Sequence, residues 1–221
     1  MSAATRRRHL IDNRFAWIAC CLLASSTIAA AQTTDTRAPH ASLNARDLGT
    51  FLAGAAVALA VHETAHVTAD VAFGAAPGLR KVSFSGIPFF AITHRTLSPG
   101  REFVISSAGL WAQEVSNELL LTRRPRLREA HAPFAKGTLA FNTITSVAYA
   151  GAAFGRAGPV ERDTRGAADA ARLREPWVGG LVLVPAVLDA ARYYKPEMRW
   201  LRWASRASKV AGAALVWRAV S

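Results

Sequence analysis

Leu48-Gly-Thr-Phe-Leu-Ala-Gly-Ala-Ala-Val-Ala-Leu-Ala-Val61 runs without a charge into His62-Glu63-Thr64-Ala65-His66, and Val67 to Phe73 continues it with Asp70 alone ionisable. An uninterrupted apolar stretch of this length reads as one long helix able to cross a membrane. On a helix, residues four apart lie on the same face, so the His62 and His66 imidazoles can reach one metal ion. Glu63 stands beside them, placed to take a proton from water at that ion. Ionisable groups in such a stretch are costly unless they serve a site. The pattern therefore predicts a zinc-dependent hydrolase built in a membrane. A core histidine pair and a haem-ligand pair are the competing uses of the same residues.

Outward from this stretch, composition agrees. The chain has 221 residues, 51% of them hydrophobic, with a mean hydropathy of +0.15. That suits several membrane spans joined by polar loops. The formal net charge is +12, but the arginines flank apolar runs. Contact with lipid headgroups is the simpler account, and no basic run interleaved with aromatics offers a base-stacking surface, so no nucleic-acid partner is expected.

The N-terminus has the three parts of a secretory signal: basic Arg6-Arg7-Arg8, apolar Phe15 to Ala30, and small Ala29-Ala30-Ala31 before Gln32. Residues 1–31 are expected to be a signal peptide or N-terminal anchor, and 32–221 a single membrane domain. Both cysteines, Cys20 and Cys21, lie in the first segment. A chain that loses it has no thiolate for zinc.

Gln32 to Arg46 is a polar lead-in, and Asp47 is a candidate cap for the long helix. Gly74 and Pro77-Gly78 stop that helix. Lys81 to Thr93 alternates Val82 and Phe84 with serines, is interrupted by Gly86 and Pro88, and resumes at Phe89. It predicts a hairpin or re-entrant segment that could hold an extended substrate by edge pairing. Phe103 to Leu121 is a second apolar run carrying a polar stripe of Gln113, Glu114, Asn117 and Glu118 at helical spacing, expected to face a site or a wet cavity. A basic loop, Arg123 to Arg128, follows. Gly137 to Phe154 is a third apolar run, Gly155 to Glu175 a charged connector, and Trp177 to Ala191 a fourth run with Asp189 alone ionisable. Lys195 to Ser221 mixes Arg and Lys with Trp, Leu and Val, as in a helix lying on the membrane or a poor last span. The fold expected is an all-α, multi-span membrane bundle with a small β-hairpin or re-entrant segment between the first two mature helices.

Catalytic zinc takes three protein ligands and keeps one position open. Asp70 lies too far along the helix axis to join both histidines on one ion, at about 1.5 Å rise per residue. It can instead orient His66 from behind. His94 sits in a loop-like stretch. Asp189 and Glu114 remain as third-ligand candidates, and the isolation of Asp189 favours it.

At this point the chain resembles the site-2 protease family of intramembrane zinc metalloproteases. The pentad in an apolar helix is followed far downstream by Pro185 and Leu188-Asp189, similar to that family's N-x-x-P-x-x-x-L-D-G motif. Ser107-Ala108-Gly109-Leu110 is similar to the small-residue stretch of its intervening helix. Two residues separate Pro185 from Leu188 where the family has three, Ala190 stands in place of glycine, and Gln113 in place of asparagine. The resemblance implies Zn2+ held by His62, His66 and Asp189, with Glu63 as catalytic base. It also implies peptide-bond hydrolysis in membrane protein or peptide substrates, in a bacterial-type inner membrane. A non-proteolytic membrane protein, binding metal or haem or acting as a scaffold, is the alternative.

Overall fold

The computed structural model describes residues 44–84 and 87–220, and side chains outside 84–90, 216, 217, 219 and 220. The signal or anchor segment 1–31, with Cys20 and Cys21, lies outside the described residues. Residues Leu43–Ser221 form one compact unit.

The described chain is helical apart from one hairpin: α1 (Ala45–Ala72), β1 (Gly78–Phe84), β2 (Ile87–Thr93), α2 (Pro99–Arg123), α3 (Pro133–Gly155), α4 (Asp163–Ala171), α5 (Glu175–Tyr194) and α6 (Arg199–Val220). The cap of α1 is Asn44, not Asp47. The Asn44 side chain accepts the Asp47 amide hydrogen at 2.7 Å, and Asp47 lies in the first turn, where a carboxylate meets the positive end of the helix dipole. Gly74, at φ +62°, turns the chain out of α1 into the hairpin. The strands pair antiparallel from Gly78↔Thr93 to Phe84↔Ile87, and the ladder runs through Pro88, which the sequence reading took as an interruption. In a two-stranded sheet both strands are edges, where a missing N–H is tolerated.

The long α1 packs between α2 and α3, α3 packs on α5, and α4 wedges between α2 and α5. α6 lies against α5 and α2. The α1–α3 crossing is closer than any side chain would allow. A Cβ on Gly54 would fall on the Phe134 carbonyl, and one on Gly137 on the Phe51 carbonyl. Thr138 Oγ1 uses that proximity to donate to the Gly54 carbonyl at 3.1 Å. Apolar clusters close the two ends. Leu121, Leu127, Ala132, Ala135 and Leu139 join α2 to α3, and Phe103, Ala167, Ala168 and Val178 join α2, α4 and α5.

Among the described residues, α1 is the one helix long and apolar enough to cross a membrane, with a mean hydropathy of 1.4 in its richest window. α2 and α6 fall short because charges recur along them, and α3 because glycine, threonine, serine and asparagine dilute it.

Candidate metal centre

α1 brings His62 and His66 together one turn apart and buried, at 3% and 7% exposure. Their Nε2 atoms are 3.3 Å apart. The His66 Nδ1 lies 2.7 Å from the Ile105 carbonyl on α2. A carbonyl only accepts, so Nδ1 donates to it and Nε2 is left as the nitrogen that faces His62 and Asp163. The partner that orients His66 is therefore this carbonyl, not Asp70, whose buried carboxylate has no hydrogen bond at either oxygen.

The carboxylate that meets the histidines is Asp163, the first residue of α4. Its Oδ2 lies 3.0 Å from His62 Nε2 and 3.3 Å from His66 Nε2. Burial works against the Asp163 charge, but the two histidine nitrogens outweigh it and hold its carboxyl down to about 2. Two imidazole nitrogens and one carboxylate oxygen thus form a near-equilateral triangle of ligand atoms. Ligands bound at about 2.0–2.1 Å in a tetrahedron stand about 3.3 Å apart. These three residues could hold a metal ion.

Three features fix this geometry. Gly109 lets α2 approach the rings: a Cβ there would lie 2.5 Å from both Nε2 atoms. Gly166 does the same for α4, where a Cβ would meet Ser106 Oγ at 2.6 Å. Finally, Glu175 at the start of α5 grips both neighbours of Asp163. It accepts from Arg162 Nε and Nη2 at 2.6 Å each, and from Thr164 Oγ1 at 3.0 Å.

Asp189, expected as third ligand, is placed elsewhere. It is fully buried, but its carboxylate accepts from Lys209 at 2.8 and 2.9 Å and from Ser205 at 2.6 Å, both on α6, with Arg192 at 3.4 Å. The lone acid of an apolar helix does have the partner its burial demands, but the partner is a cation. Glu114, the other candidate, lies 3.8 Å from the same Lys209. The polar stripe of α2 likewise faces inward. Gln113 and Asn117 are each 1% exposed, and Asn142 of α3 donates to Asn117 at 2.8 Å. Neither lines the opening to the histidines.

That opening is a cleft of about 810 Å³. Glu63 from α1, Ala91 and Ile92 from β2, Tyr149 from α3, and Asp163 share its wall with His66. Glu63 is exposed there, beside the histidines. His94 also lines it, 3.5 Å from Glu102. Sequence reasoning missed Asp163 and Glu175 because they fall in what reads as a polar connector. The available signal was the small-residue run Gly166-Ala167-Ala168, which suits close helix packing.

Comparison of the chain with protein-family models, with curated proteins and with solved structures gives no match.

Proposed function

We propose that the chain is a zinc-dependent, membrane-embedded hydrolase that cleaves peptide bonds in or near the bilayer, with His62, His66 and Asp163 as metal ligands and Glu63 as catalytic base. The triangle of ligand atoms, at 3.0, 3.3 and 3.3 Å, carries the reading. His62, His66 and Asp163 would hold the ion, which when bound would supply Lewis-acid activation of water and of a carbonyl. Glu63, on the open side of the site, takes the proton of the attacking water and passes it to the leaving amine. The reading follows the site-2 protease likeness in its histidines and glutamate. It departs at the third ligand, which comes from the segment after α3 and not from Leu188-Asp189.

A membrane location is supported by where polar and apolar groups lie. Leu52, Val61, Val71, Val147, Val184 and Trp203 are exposed, while His62, Gln113, Asn142, Asp189, Arg192 and Ser205 are buried. A water-soluble domain shows the reverse. Lipid is a good solvent for the first set, and the bundle interior supplies partners to Asn142, Asp189, Arg192 and Ser205 in the second. On this reading α2, α3 and α5 join α1 as spans of an inner-membrane bundle. A substrate helix must unwind before its peptide bonds are accessible. The β2 edge beside the cleft could take up the opened strand.

The test is Glu63→Gln in detergent-purified protein. It should bind zinc like the wild type and cleave nothing. Undiminished cleavage by this variant would remove the mechanism, and cleavage without any bound metal would remove the zinc.

A further inference from the structure

The two histidines of the centre are held differently. His66 gives its Nδ1 hydrogen to the Ile105 carbonyl. The Nδ1 of His62 is buried and has no hydrogen-bond partner. His62 turns its Nε2 to Asp163 and to the Nε2 of His66. An imidazole that binds a metal through Nε2 carries its hydrogen on Nδ1. Metal-ligating histidines almost always donate that hydrogen to an acceptor, which fixes both tautomer and ring orientation. His62 therefore needs an acceptor on its Nδ1 side.

Among the described residues, four side chains have a buried acceptor oxygen with no hydrogen bond: Asp70, Gln113, Glu114 and Asp163. The Asp163 oxygen is the one on the Nε2 side of His62. Asp70 is eight residues further along α1, about 12 Å down the axis and beyond His66. The Glu114 oxygen lies 3.8 Å from Lys209 of α6. Gln113 remains, and the packing brings it to His62. Helices α1 and α2 run antiparallel where they meet: the Ile105 carbonyl faces His66, and a Cβ on Gly109 would lie 2.5 Å from both Cε1 and Nε2 of His62. Nδ1 is bonded to that Cε1. Gln113 is one turn beyond Gly109 on the same face of α2, and a helical side chain leans back over the turn N-terminal to it. The Gln113 amide thus leans over Gly109, towards the His62 ring. It is 1% exposed, and neither its oxygen nor its nitrogen has a partner. Burying an amide unpaired on both atoms is costly, and a bond from Nδ1 offsets part of that cost.

We infer that Gln113 is a positioning residue of the metal centre: its Oε1 accepts the Nδ1 hydrogen of His62 when that histidine binds the ion, as the Ile105 carbonyl does for His66. The inference rests on the metal centre proposed above. Gln113 selects the His62 tautomer whose Nε2 lone pair is directed at the ion. The rival acceptor is Ser146 of α3. It is also 1% exposed, and lies one turn before Tyr149, whose ring stacks on His62 with centroids 6.1 Å apart.

The test measures zinc affinity by chelator competition in detergent-purified wild type, Gln113→Met, Gln113→Glu and Ser146→Ala, with the melting temperature of each metal-free protein. Gln113→Met keeps the length of the side chain without the amide. It should bind zinc about 10–100-fold more weakly, as is typical when the outer partner of a ligand is lost. Its metal-free form should melt no lower than the wild type, because a buried unpaired amide has been removed. Gln113→Glu keeps an acceptor in place and should hold zinc at least as tightly as the wild type. Ser146→Ala should bind like the wild type. Unchanged affinity in Gln113→Met would overturn the inference and leave the metal centre standing. So would a loss reproduced by Ser146→Ala, which would make the serine the partner of His62. A loss in Gln113→Met that comes with a lower melting temperature and is not restored by Gln113→Glu would make the amide a packing group only. Wild type that binds no zinc would sink the metal centre, and the role of Gln113 with it.

Discussion

Removing the Glu175 charge should loosen the metal without touching a ligand. Glu175→Gln keeps the shape of the side chain but takes the anion away from Arg162. That guanidinium is held at 2.6 Å through two nitrogens, with both partners nearly buried, at 6% and 11% exposure. Breaking a buried pair by removing one partner costs about 3–5 kcal/mol, because the remaining charge is left uncompensated. The cost falls on the segment that carries Asp163, since Glu175 also holds Thr164. If the whole of it had to be recovered when metal binds, zinc affinity would fall by roughly 10²–10⁴ at about 1.4 kcal/mol per decade. Partial relaxation reduces this, and loss of an outer partner of a ligand typically weakens metal binding about 10–100-fold. We therefore expect Glu175→Gln to bind zinc at least about tenfold more weakly in a chelator competition assay. Glu161→Gln is the control. Its partner Arg80 is 60% exposed, so this pair is worth about 0–1 kcal/mol and zinc affinity should not change. Unchanged zinc affinity in Glu175→Gln, alongside a clear fall in thermal stability, would refute the reasoning. Asp163 would then not need its neighbours held, or would not be a ligand.

Gly109→Ala places a methyl 2.5 Å from both Nε2 atoms. It should abolish zinc binding while leaving far-UV helicity intact, checked by metal content and circular dichroism on one sample. Gly54→Ala and Gly137→Ala drive a methyl into a facing carbonyl at the α1–α3 crossing. Each should cost at least about 1–3 kcal/mol by the usual penalty of overpacking, read as a lower detergent melting temperature. Asp189→Asn leaves Lys209 and Arg192 short of a counter-charge. It should destabilise the α5–α6 contact by about 3–5 kcal/mol in chemical denaturation, with zinc content unaltered in the protein that remains folded.

The parts of this site legible in the sequence are those set by local geometry. His62 and His66 face the same way because a helix repeats every 3.6 residues, and the apolar residues around them make that helix certain. The long helices and the hairpin follow from period and punctuation in the same way. Asp163 was not legible, because what selects it is a contact with α1 about a hundred residues away, made by a nine-residue helix inside a charged stretch. Asp189 misled for a related reason. A lone acid in an apolar helix announces that it has a partner but not which one. The cation that satisfies it, Lys209, sits in a helix whose pattern reads as a membrane-surface segment. The α2 stripe shows the same limit. Its spacing predicts a polar face turned to a site or a wet cavity; the face is inward, yet Asn117 meets Asn142, the Gln113 amide has no hydrogen-bond partner, and Glu114 and Glu118 meet the cations of α6.

On the proposed function, one metal ion sits between α1 and the start of α4, at His62, His66 and Asp163. Zinc per chain, measured by mass spectrometry on detergent-purified wild type, Asp163→Ala and Asp189→Asn, tests it most directly. The account predicts one zinc in the wild type, one in folded Asp189→Asn, and none in Asp163→Ala. Zinc kept by Asp163→Ala and lost from a folded Asp189→Asn would contradict it and return the third ligand to α5.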